Sequence, residues 1–489
     1  MFVVKNLSCS FNGKNVFSNI SFSLSRGEAI AILGPAESGK TVLAYCLTGI
    51  IPNRIAAEVH GEIVLDGENI LGKKPGDLAS KIGLVMQNYE AQLFGLTVEE
   101  DVRFALENMG LDEHEIEGRV DWALKSLGLE KYRSYRTSQL SGGLKQRLAI
   151  ASVIAAKPKV VILDDPTLNL DWIGIKSLEN IIARLKNEGM SFVVLSKCVD
   201  GIENVIDKTI VLGNNGWNGN AIECGEVKPH DLLTKSKVSK NMKEEELIRV
   251  ENVWFKYPDT DYIIKNISLS IRRGDVVAIM GSNGSGKTTL VKLMSGILKP
   301  SKGRVVVLGK DTRKYSASDI AKHVTVVFQN PERYTVFETV FDEVYFGCRN
   351  IGLPKEFAEN ALRFTGLYDK MFEAPYNLSR SEKIRLHIAS ALAMNPDVLI
   401  LDEPLTSCDL IMFSMLKSLV DYMYMQGKAV VIVTHDTNIA AKLCNRVVVL
   451  NNGVVVTDSN QSIFFNDNFV RNTGIRPLKI FNKIFVGGA

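Results

Sequence analysis

The sequence predicts an α/β protein with two tandem domains, each built around a mostly parallel sheet. Three observations support this prediction: the chain repeats itself, short apolar segments recur in each repeat, and each repeat has one glycine-rich loop before a helical segment. With 489 residues, the chain is long enough for each half to bury its own core.

The repeat is visible in the spacing of short motifs. SNISFSLSRGEAIAILG ends at Gly34 and KNISLSIRRGDVVAIMG ends at Gly281, an offset of 281 − 34 = 247 residues. Further along, KPKVVILDDP (157–166) matches NPDVLILDEP (395–404), an offset of 395 − 157 = 238. We therefore predict a first domain over 1–230, a polar linker over 231–246 and a second domain over 247–489.

Short apolar segments predict the strands. AIAIL, VVIL and FVVL in the first half correspond to VVAIM, VLIL and VVIV in the second. Strands buried on both faces of a parallel sheet have this composition. Stretches with helical composition, such as EGRVDWALKSLGL (117–129), lie between them, so the order of elements also favours an α/β fold.

Composition sets further limits on function. A net charge of +3 gives no electrostatic reason to expect nucleic acid or a lipid surface as a partner. The seven cysteines are scattered and never spaced CxxC, which favours reduced thiols over disulfides or a metal site. The start of the chain predicts no signal peptide, and no stretch approaches the roughly 20 apolar residues of a membrane span.

Two loops predict phosphate binding. GPAESGKT (34–41) and GSNGSGKT (281–288) both fit GxxxxGK[ST] between a strand and a helix. In such loops, backbone N–H groups surround the phosphates, the lysine reaches the β- and γ-phosphates, and the threonine binds Mg²⁺. The candidate ATP-binding residues here are Gly34, Ser38, Gly39, Lys40, Thr41, Val42, Gly281, Asn283, Gly284, Ser285, Gly286, Lys287, Thr288 and Thr289.

An aspartate ends one buried strand in each half. Asp164 and Asp402 close the runs VVILD and VLILD, which places a carboxylate at the strand tip beside the phosphate loop. We interpret them as further groups on the Mg²⁺ side of the nucleotide. The alternative is an aspartate that only terminates its strand.

These motifs resemble those of the ABC-type ATPases over nearly the whole chain. LSGGLKQR (140–147) is similar to the family's signature LSGGQ, with Leu144 in place of glutamine, and is followed by a D-loop-like NLD ending at Asp171. The resemblance implies two P-loop NTPase domains, each with an antiparallel β subdomain and an α-helical signature subdomain. It implies phosphate contact by Ser141, Gly142, Gly143 and Ser379, adenine stacking by Phe11 and Tyr257, metal binding by Gln87 and Gln329, and catalysis by Glu403, His435, Gln329 and Asp165.

The two halves depart from the family pattern at different places. The first half has Asp165 where glutamate is expected and Lys197 where histidine is expected. The second keeps Glu403 and His435, but NLSRSEKIR (377–385) has Arg380, Ser381 and Glu382 in place of Gly-Gly-Gln. In the family, each ATP lies between one domain's phosphate loop and the other's signature. The resemblance therefore predicts one competent site and one degenerate site that collects all the serious departures.

One group of the family is most similar. MQNYEAQLFGLTVEEDVRF (86–104) resembles a segment of the energy-coupling-factor (ECF) importer ATPases, in which a glutamine at the position of Gln92 starts a short coupling helix. This resemblance implies ATP and Mg²⁺ as cofactors and a peripheral location on the cytoplasmic face of the membrane. It also implies separate membrane subunits, no nucleic acid, and a cargo from the vitamin or transition-metal group.

Other readings remain open. A soluble ABC protein acting on ribosomes or DNA usually carries a long charged helical insert, a coiled coil or a Cys-rich domain, whereas the linker here is short. A fused pair of the ribose-import type usually has a degraded second phosphate loop, which is intact here. Glu403 and His435 disfavour an ATP-binding regulator without turnover.

Overall fold

The computed structural model describes residues 1–34, 38–168, 170–199, 201–212, 245–329, 335–404, 410–465, 473, 475 and 476. The chain divides into two compact units, Met1–Cys224 and Gly225–Ala489. Most of the predicted linker, residues 231–244, lies outside the described residues. Each unit contains one sheet that is mostly or wholly parallel and one antiparallel sheet, as predicted.

The first unit contains nine described strands, divided between two sheets. The strands of this unit are β1 (Phe2–Phe11), β2 (Lys14–Leu24), β3 (Ala29–Leu33), β4 (Glu58–Leu65), β5 (Glu68–Asn69), β6 (Ile82–Val85), β7 (Val160–Asp164), β8 (Ser191–Ser196) and β9 (Lys208–Val211). Its α-helices are α1 (Lys40–Leu47), α2 (Ile50–Asn53), α3 (Pro75–Leu78), α4 (Val98–Asn108), α5 (Glu113–Leu127), α6 (Gly142–Ala155) and α7 (Trp172–Asn187). The antiparallel sheet has the order β2-β1-β4-β5, and the parallel sheet has the order β6-β7-β8-β3-β9.

The second unit repeats this plan. Its strands are β10 (Glu246–Phe255), β11 (Ile264–Arg272), β12 (Val276–Met280), β13 (Lys302–Val307), β14 (Lys310–Asp311), β15 (Val324–Val327), β16 (Val398–Asp402), β17 (Ala429–Val433), β18 (Arg446–Asn451) and β19 (Val454–Ser459). Its α-helices are α8 (Lys287–Met294), α9 (Ala317–Ala321), α10 (Val340–Ile351), α11 (Lys355–Thr365), α12 (Arg380–Ala393), α13 (Leu410–Met425) and α14 (Thr437–Leu443). The sheet orders are β11-β10-β13-β14 and β15-β16-β17-β12-β18-β19, with β19 antiparallel to β18.

The apolar segments form the centres of the parallel sheets. Every residue of β3, β7, β8, β12, β16 and β17 is buried. Three helices pack together in each unit: α4, α5 and α6 in the first, and α10, α11 and α12 in the second. The helices of the first unit share one core with the parallel sheet, whereas those of the second form a core of their own. Each set of three helices contains the signature segment of its unit, as the α-helical subdomain was predicted to do. Among the described helices, none combines the length and apolar character that crossing a membrane requires.

A shared backbone irregularity shows how closely the units match. In the first antiparallel sheet the β1–β4 register shifts after Lys5, and Gly61 has φ +118° with no room for a side chain. In the second, the β10–β13 register shifts after Glu251, and Gly303 occupies the same place with φ +78°. Only glycine fits such a close approach without strain.

We predict that Gly61→Ala lowers the free energy of unfolding by about 2–4 kcal/mol, because its Cβ would lie 2.7 Å from the carbonyl oxygens of Lys5 and Asn6. Gly67→Ala is the matched control, since Gly67 also has positive φ but no atom within 4 Å of the added Cβ. Its cost should be about 1 kcal/mol. Urea unfolding of both variants tests this, and equal losses would contradict the steric reading.

Candidate functional site

The phosphate loop of the first unit joins β3 to α1. Residues 35–37 lie outside the described part, but both ends of the loop are defined. Gly39 has φ +87° and precedes the helix, and a Cβ there would lie 2.8 Å from Val16. Lys40 is buried, and its Nζ donates to the carbonyl of Gly34 at 2.8 Å. The ammonium therefore lies against the loop backbone, which is where a phosphate-binding lysine is expected.

The second phosphate loop has the same form between β12 and α8. Lys287 Nζ donates to the carbonyls of Gly281 at 2.8 Å and Ser282 at 2.9 Å. Gly281 has φ +143°, and a Cβ there would lie 2.1 Å from the carbonyl oxygen of Leu450, so the loop requires glycine at this point. Asn283 and Gly284 lie in the loop, and Thr289 follows Thr288 in the first turn of α8.

A threonine and an aspartate meet at the base of each loop. Thr41 Oγ1 donates to Asp164 Oδ2 at 2.7 Å, and Thr288 Oγ1 donates to Asp402 Oδ2 at 3.0 Å. Burial raises the pKa of both aspartates to about 6, although the threonine hydrogen bond opposes this shift. The sequence pattern had predicted each aspartate beside its phosphate loop, but not its hydrogen bond to the threonine.

These pairs fit a magnesium ion. Asp164 Oδ1 is buried and has no hydrogen-bond partner within the described residues, and an unsatisfied carboxylate oxygen in such a place is costly. Mg²⁺ prefers oxygen ligands and is usually held by one or two protein groups together with substrate phosphates. Thr41 with Asp164, and Thr288 with Asp402, would be those groups.

The second unit contains a carboxylate–imidazole pair directly after its strand. Glu403 follows β16 with φ +51°, and its Oε1 lies 2.9 Å from His435 Nδ1. Glu403 Oε2 is buried and has no partner among the residues that are described. Burial alone would lower the pKa of His435, but the Glu403 carboxylate outweighs this effect and the pKa is raised. This pair can hold a proton between the two side chains.

The first unit has different chemistry at the corresponding positions. Asp165 has the same backbone conformation, with φ +47°, but its Oδ2 accepts from Gln87 Nε2 at 3.3 Å. Lys197 stands where His435 stands in the second unit, since 435 − 197 = 238. Burial lowers the pKa of Lys40; Asp165 opposes this shift and the Lys197 ammonium adds to it. Lys197 therefore brings a second cation into the electrostatic range of this phosphate loop.

The two signature segments differ at the start of their helices. Ser141 is the exposed N-cap of α6 and makes no side-chain capping bond, while Gly142 and Gly143 form the first turn. In the second unit Ser379 and Glu382 form a capping box: the Ser379 N–H donates to Glu382 Oε2 at 2.9 Å, and the Glu382 N–H donates to Ser379 Oγ at 3.4 Å. The start of α12 is therefore satisfied by its own side chains.

Sequence reasoning singled out Glu382 only as a departure from the signature and missed its role. The spacing Ser379-x-x-Glu382 before an apolar helix is a recognised capping-box pattern and could have predicted it. Lys370 Nζ also lies 2.8 Å from Glu382 Oε1, so this carboxylate is held from two sides. Its pKa is lowered by Lys370 and Ser379, against the effect of burial.

The structure also gives the positions of the remaining candidate residues. Phe11 ends β1 and is half-buried; Tyr257 follows β10 and packs edge-on against Phe255 at 5.0 Å between ring centroids. Their adenine stacking stays a prediction, as does metal binding by Gln329, which follows β15. Gln92 ends the 3₁₀ helix Tyr89–Gln92, whereas the resemblance had suggested that this residue starts a helix.

We predict that Glu403→Gln lowers the pKa of His435, because the variant removes the negative charge that offsets burial. The protein has six histidines, so the imidazole resonances can be followed individually by NMR titration. His60 and His114 in the first unit serve as controls and should not shift. An unchanged His435 pKa would show that the pair is not electrostatically coupled.

Comparisons with known proteins show similarity in both units of the chain. A family model described as ABC transporter matches residues 17–168 and 264–406. A relative from Methanosarcina acetivorans, described as an ABC transporter ATP-binding protein, is 31% identical over 92% of this chain and 84% of its own length. A Bacillus subtilis relative described as an HMP/thiamine import ATP-binding protein is 28% identical over 95% of this chain and 92% of its own length.

The solved structures that resemble this chain include the Clostridium perfringens protein cbiO1, described as part of an ABC transporter complex. It is 34% identical, covers 48% of this chain and 96% of its own, and has a TM-score of 0.42. The family model covers more than half of the chain, in one segment of each unit. The chain therefore belongs to the ABC transporter family, as an ATPase with two ATP-binding domains.

Proposed function

We propose that this chain is the ATP-hydrolysing subunit of an ECF-type membrane importer and that its two ATP sites are unequal. One observation carries the inequality: Glu403 is hydrogen-bonded to His435, whereas Asp165 is engaged by Gln87 and has a lysine at the histidine position. The proposal adopts the head-to-tail arrangement of domains that the resemblance implies. Its competent site uses the second phosphate loop with the first signature.

The competent site has the groups that ATP hydrolysis needs. Lys287 would bind the β- and γ-phosphates, and Thr288 with Asp402 would hold Mg²⁺, which supplies charge neutralisation for the transferring phosphoryl group. Glu403 would orient the attacking water and accept its proton at Oε2, the oxygen that has no partner in the described structure. His435, held at Nδ1 by Glu403, would present Nε2 to the γ-phosphate.

The degenerate site would bind ATP without efficient turnover. Asp165 is one methylene shorter than glutamate, which moves its carboxylate back by about 1 Å, and a shift of that size can cost on the order of 10²-fold in rate. Lys197 cannot accept a proton while charged, although its ammonium can hold a phosphate. In the signature assigned to this site, Arg380 and Ser381 replace the two glycines. Glu382 accepts from the Ser379 N–H and caps the helix, so the amides at the helix start are less available to a nucleotide.

We predict that Glu403→Gln lowers the kcat for ATP hydrolysis by roughly 10²-fold or more, because the water loses its base. Asp165→Asn is the matched control at the equivalent position and should change kcat by less than about threefold. Both variants should still bind ATP, which equilibrium dialysis can verify. If the Asp165 variant loses turnover and the Glu403 variant retains it, the assignment of the sites is wrong.

The partners proposed for this chain are integral membrane subunits, including one that binds the substrate. The B. subtilis relative described as an HMP/thiamine import ATP-binding protein supports this and a vitamin-class cargo. The alternative of a transition-metal cargo rests on the resemblance to the ECF importer ATPases. We propose that the chain acts as a peripheral subunit on the cytoplasmic face.

We predict that affinity purification of this chain from detergent-solubilised membranes recovers integral membrane proteins. The same purification after a high-salt wash without detergent is the control, since it should leave them in the membrane fraction. Recovery of ribosomes or nucleic acid instead would overturn the transport proposal while leaving the ATPase assignment in place.

A further inference from the structure

We propose that Asp101 is a positioning residue that couples an exposed apolar loop of the first unit to its signature segment, residues 140–144. The loop, residues 94–96, follows the 3₁₀ helix that ends at Gln92, and its Phe94 and Leu96 side chains are 70% and 78% exposed. This inference rests on the proposed function, because it assigns Asp101 a part in ATP turnover.

One carboxylate holds both structures. Asp101 lies in the first turn of α4 and is only 4% exposed. Its Oδ1 accepts from the backbone N–H groups of Phe94 at 2.7 Å and Gly95 at 2.9 Å, and its Oδ2 accepts from Ser152 Oγ at 2.7 Å. Ser152 belongs to α6, the helix that begins immediately after Ser141. Hydrogen bonds to a buried charge are strong, and the loss of one is costly.

Two further features fasten the loop. A Cβ on Gly95 would lie 2.3 Å from the backbone nitrogen of Asp101, so the loop is pressed against the start of α4. Thr137, which precedes the signature, donates from Oγ1 to the carbonyl of Gly95 at 3.0 Å and from its N–H to the carbonyl of Leu96 at 3.0 Å. We call the hydrogen bonds of Asp101 and Thr137 to residues 94–96 and Ser152 the loop brace.

The second unit does not reproduce the loop brace. Glu343, equivalent to Asp101, accepts from the N–H groups of Val336 and Phe337, so its carboxylate also holds the loop. However, Ser390, equivalent to Ser152, lies 3.4 Å from the main-chain oxygen of Glu343, and no bond from it to the Glu343 carboxylate occurs within the described residues. Pro375 stands at the position of Thr137 and has neither an N–H nor a hydroxyl to donate.

The complete loop brace is therefore present in the unit whose signature keeps its glycines, whereas the unit whose signature has lost them keeps only the bonds from the Glu343 carboxylate to its loop. A loop tied to α6 by a buried carboxylate cannot move without moving that helix or breaking the bonds. We infer that displacement of residues 94–96 and displacement of the signature are linked, so that a nucleotide contacted by Ser141 alters the loop. Such a link requires a direct measurement of coupling.

Hydrogen exchange on the full-length chain with Mg²⁺ and a non-hydrolysable ATP analogue provides that measurement. The analogue should slow exchange of the Phe94 and Gly95 amides, and Ser152→Ala should reduce this response by about tenfold, the size expected for losing one hydrogen bond to a charged acceptor. Ser390→Ala is the matched control. Both serines also donate to the carbonyl four residues earlier at 3.1 Å, so the two variants lose the same local bond.

Turnover supplies a second readout. Ser152→Ala should lower the kcat by about tenfold with little change in KM, whereas Ser390→Ala should leave both nearly unchanged. Equal effects of the two variants, or no response of residues 94–96 in the unaltered protein with analogue bound, would overturn the coupling. If Ser152→Ala does not fold, Thr137→Val serves in its place, because it removes the Oγ1 bond to Gly95 and keeps the N–H bond to Leu96.

Binding of the analogue distinguishes a failure of the proposed function from a failure of the role proposed for Asp101. If the unaltered chain neither binds the analogue nor hydrolyses ATP, the proposed function fails. If it binds and hydrolyses while residues 94–96 do not respond, only the role of Asp101 fails.

Discussion

Much of each unit's site depends on one buried contact, the hydrogen bond from a phosphate-loop threonine to an aspartate at the tip of a central strand. Asp164 and Asp402 lie where burial disfavours their charge and raises their pKa to about 6. A carboxylate is retained in such a place only if something compensates it, and a divalent cation between protein and phosphate does so better than one hydroxyl. The parallel sheet provides the geometry, because the carboxyl ends of β3, β7 and β8 meet at one edge.

The two units share this arrangement but differ in the residues beside it, at the positions of Glu403 and His435. Glu403 pairs with His435, whereas Asp165, which is one methylene shorter, accepts from Gln87. Lys197 in place of the His435 imidazole exchanges a group that can share a proton for a fixed cation. Under the proposed function, both changes would favour retention of a phosphate over attack on it.

The sequence was sufficient for the fold and for the residues that meet within each unit. The repeat, the apolar strands and the phosphate loops predicted the parallel sheets and a position beside the phosphate loop for Asp164 and Asp402, because each depends on local pattern and strand order. The antiparallel sheets were implied by the family resemblance. The sequence was not sufficient for contacts that depend on side-chain reach. The Gln87–Asp165 bond and the Asp101–Ser152 bond join residues far apart in sequence, and no motif specifies either one. The capping box at Ser379 follows a local sequence pattern and was therefore predictable.

The segment NLSRSEKIR is better understood as a stable helix start than as a damaged one. Loss of glycine removes backbone freedom that a phosphate-binding turn needs and that an ordinary helix does not, so Arg380 and Ser381 lower the entropic cost of forming α12. Glu382 then caps the helix and pairs with Lys370. A helix end that satisfies its own amides has less to gain from a nucleotide. The substitutions that would weaken one ATP site under the proposed function therefore stabilise the start of α12, which gives a physical reason for the chain to tolerate them.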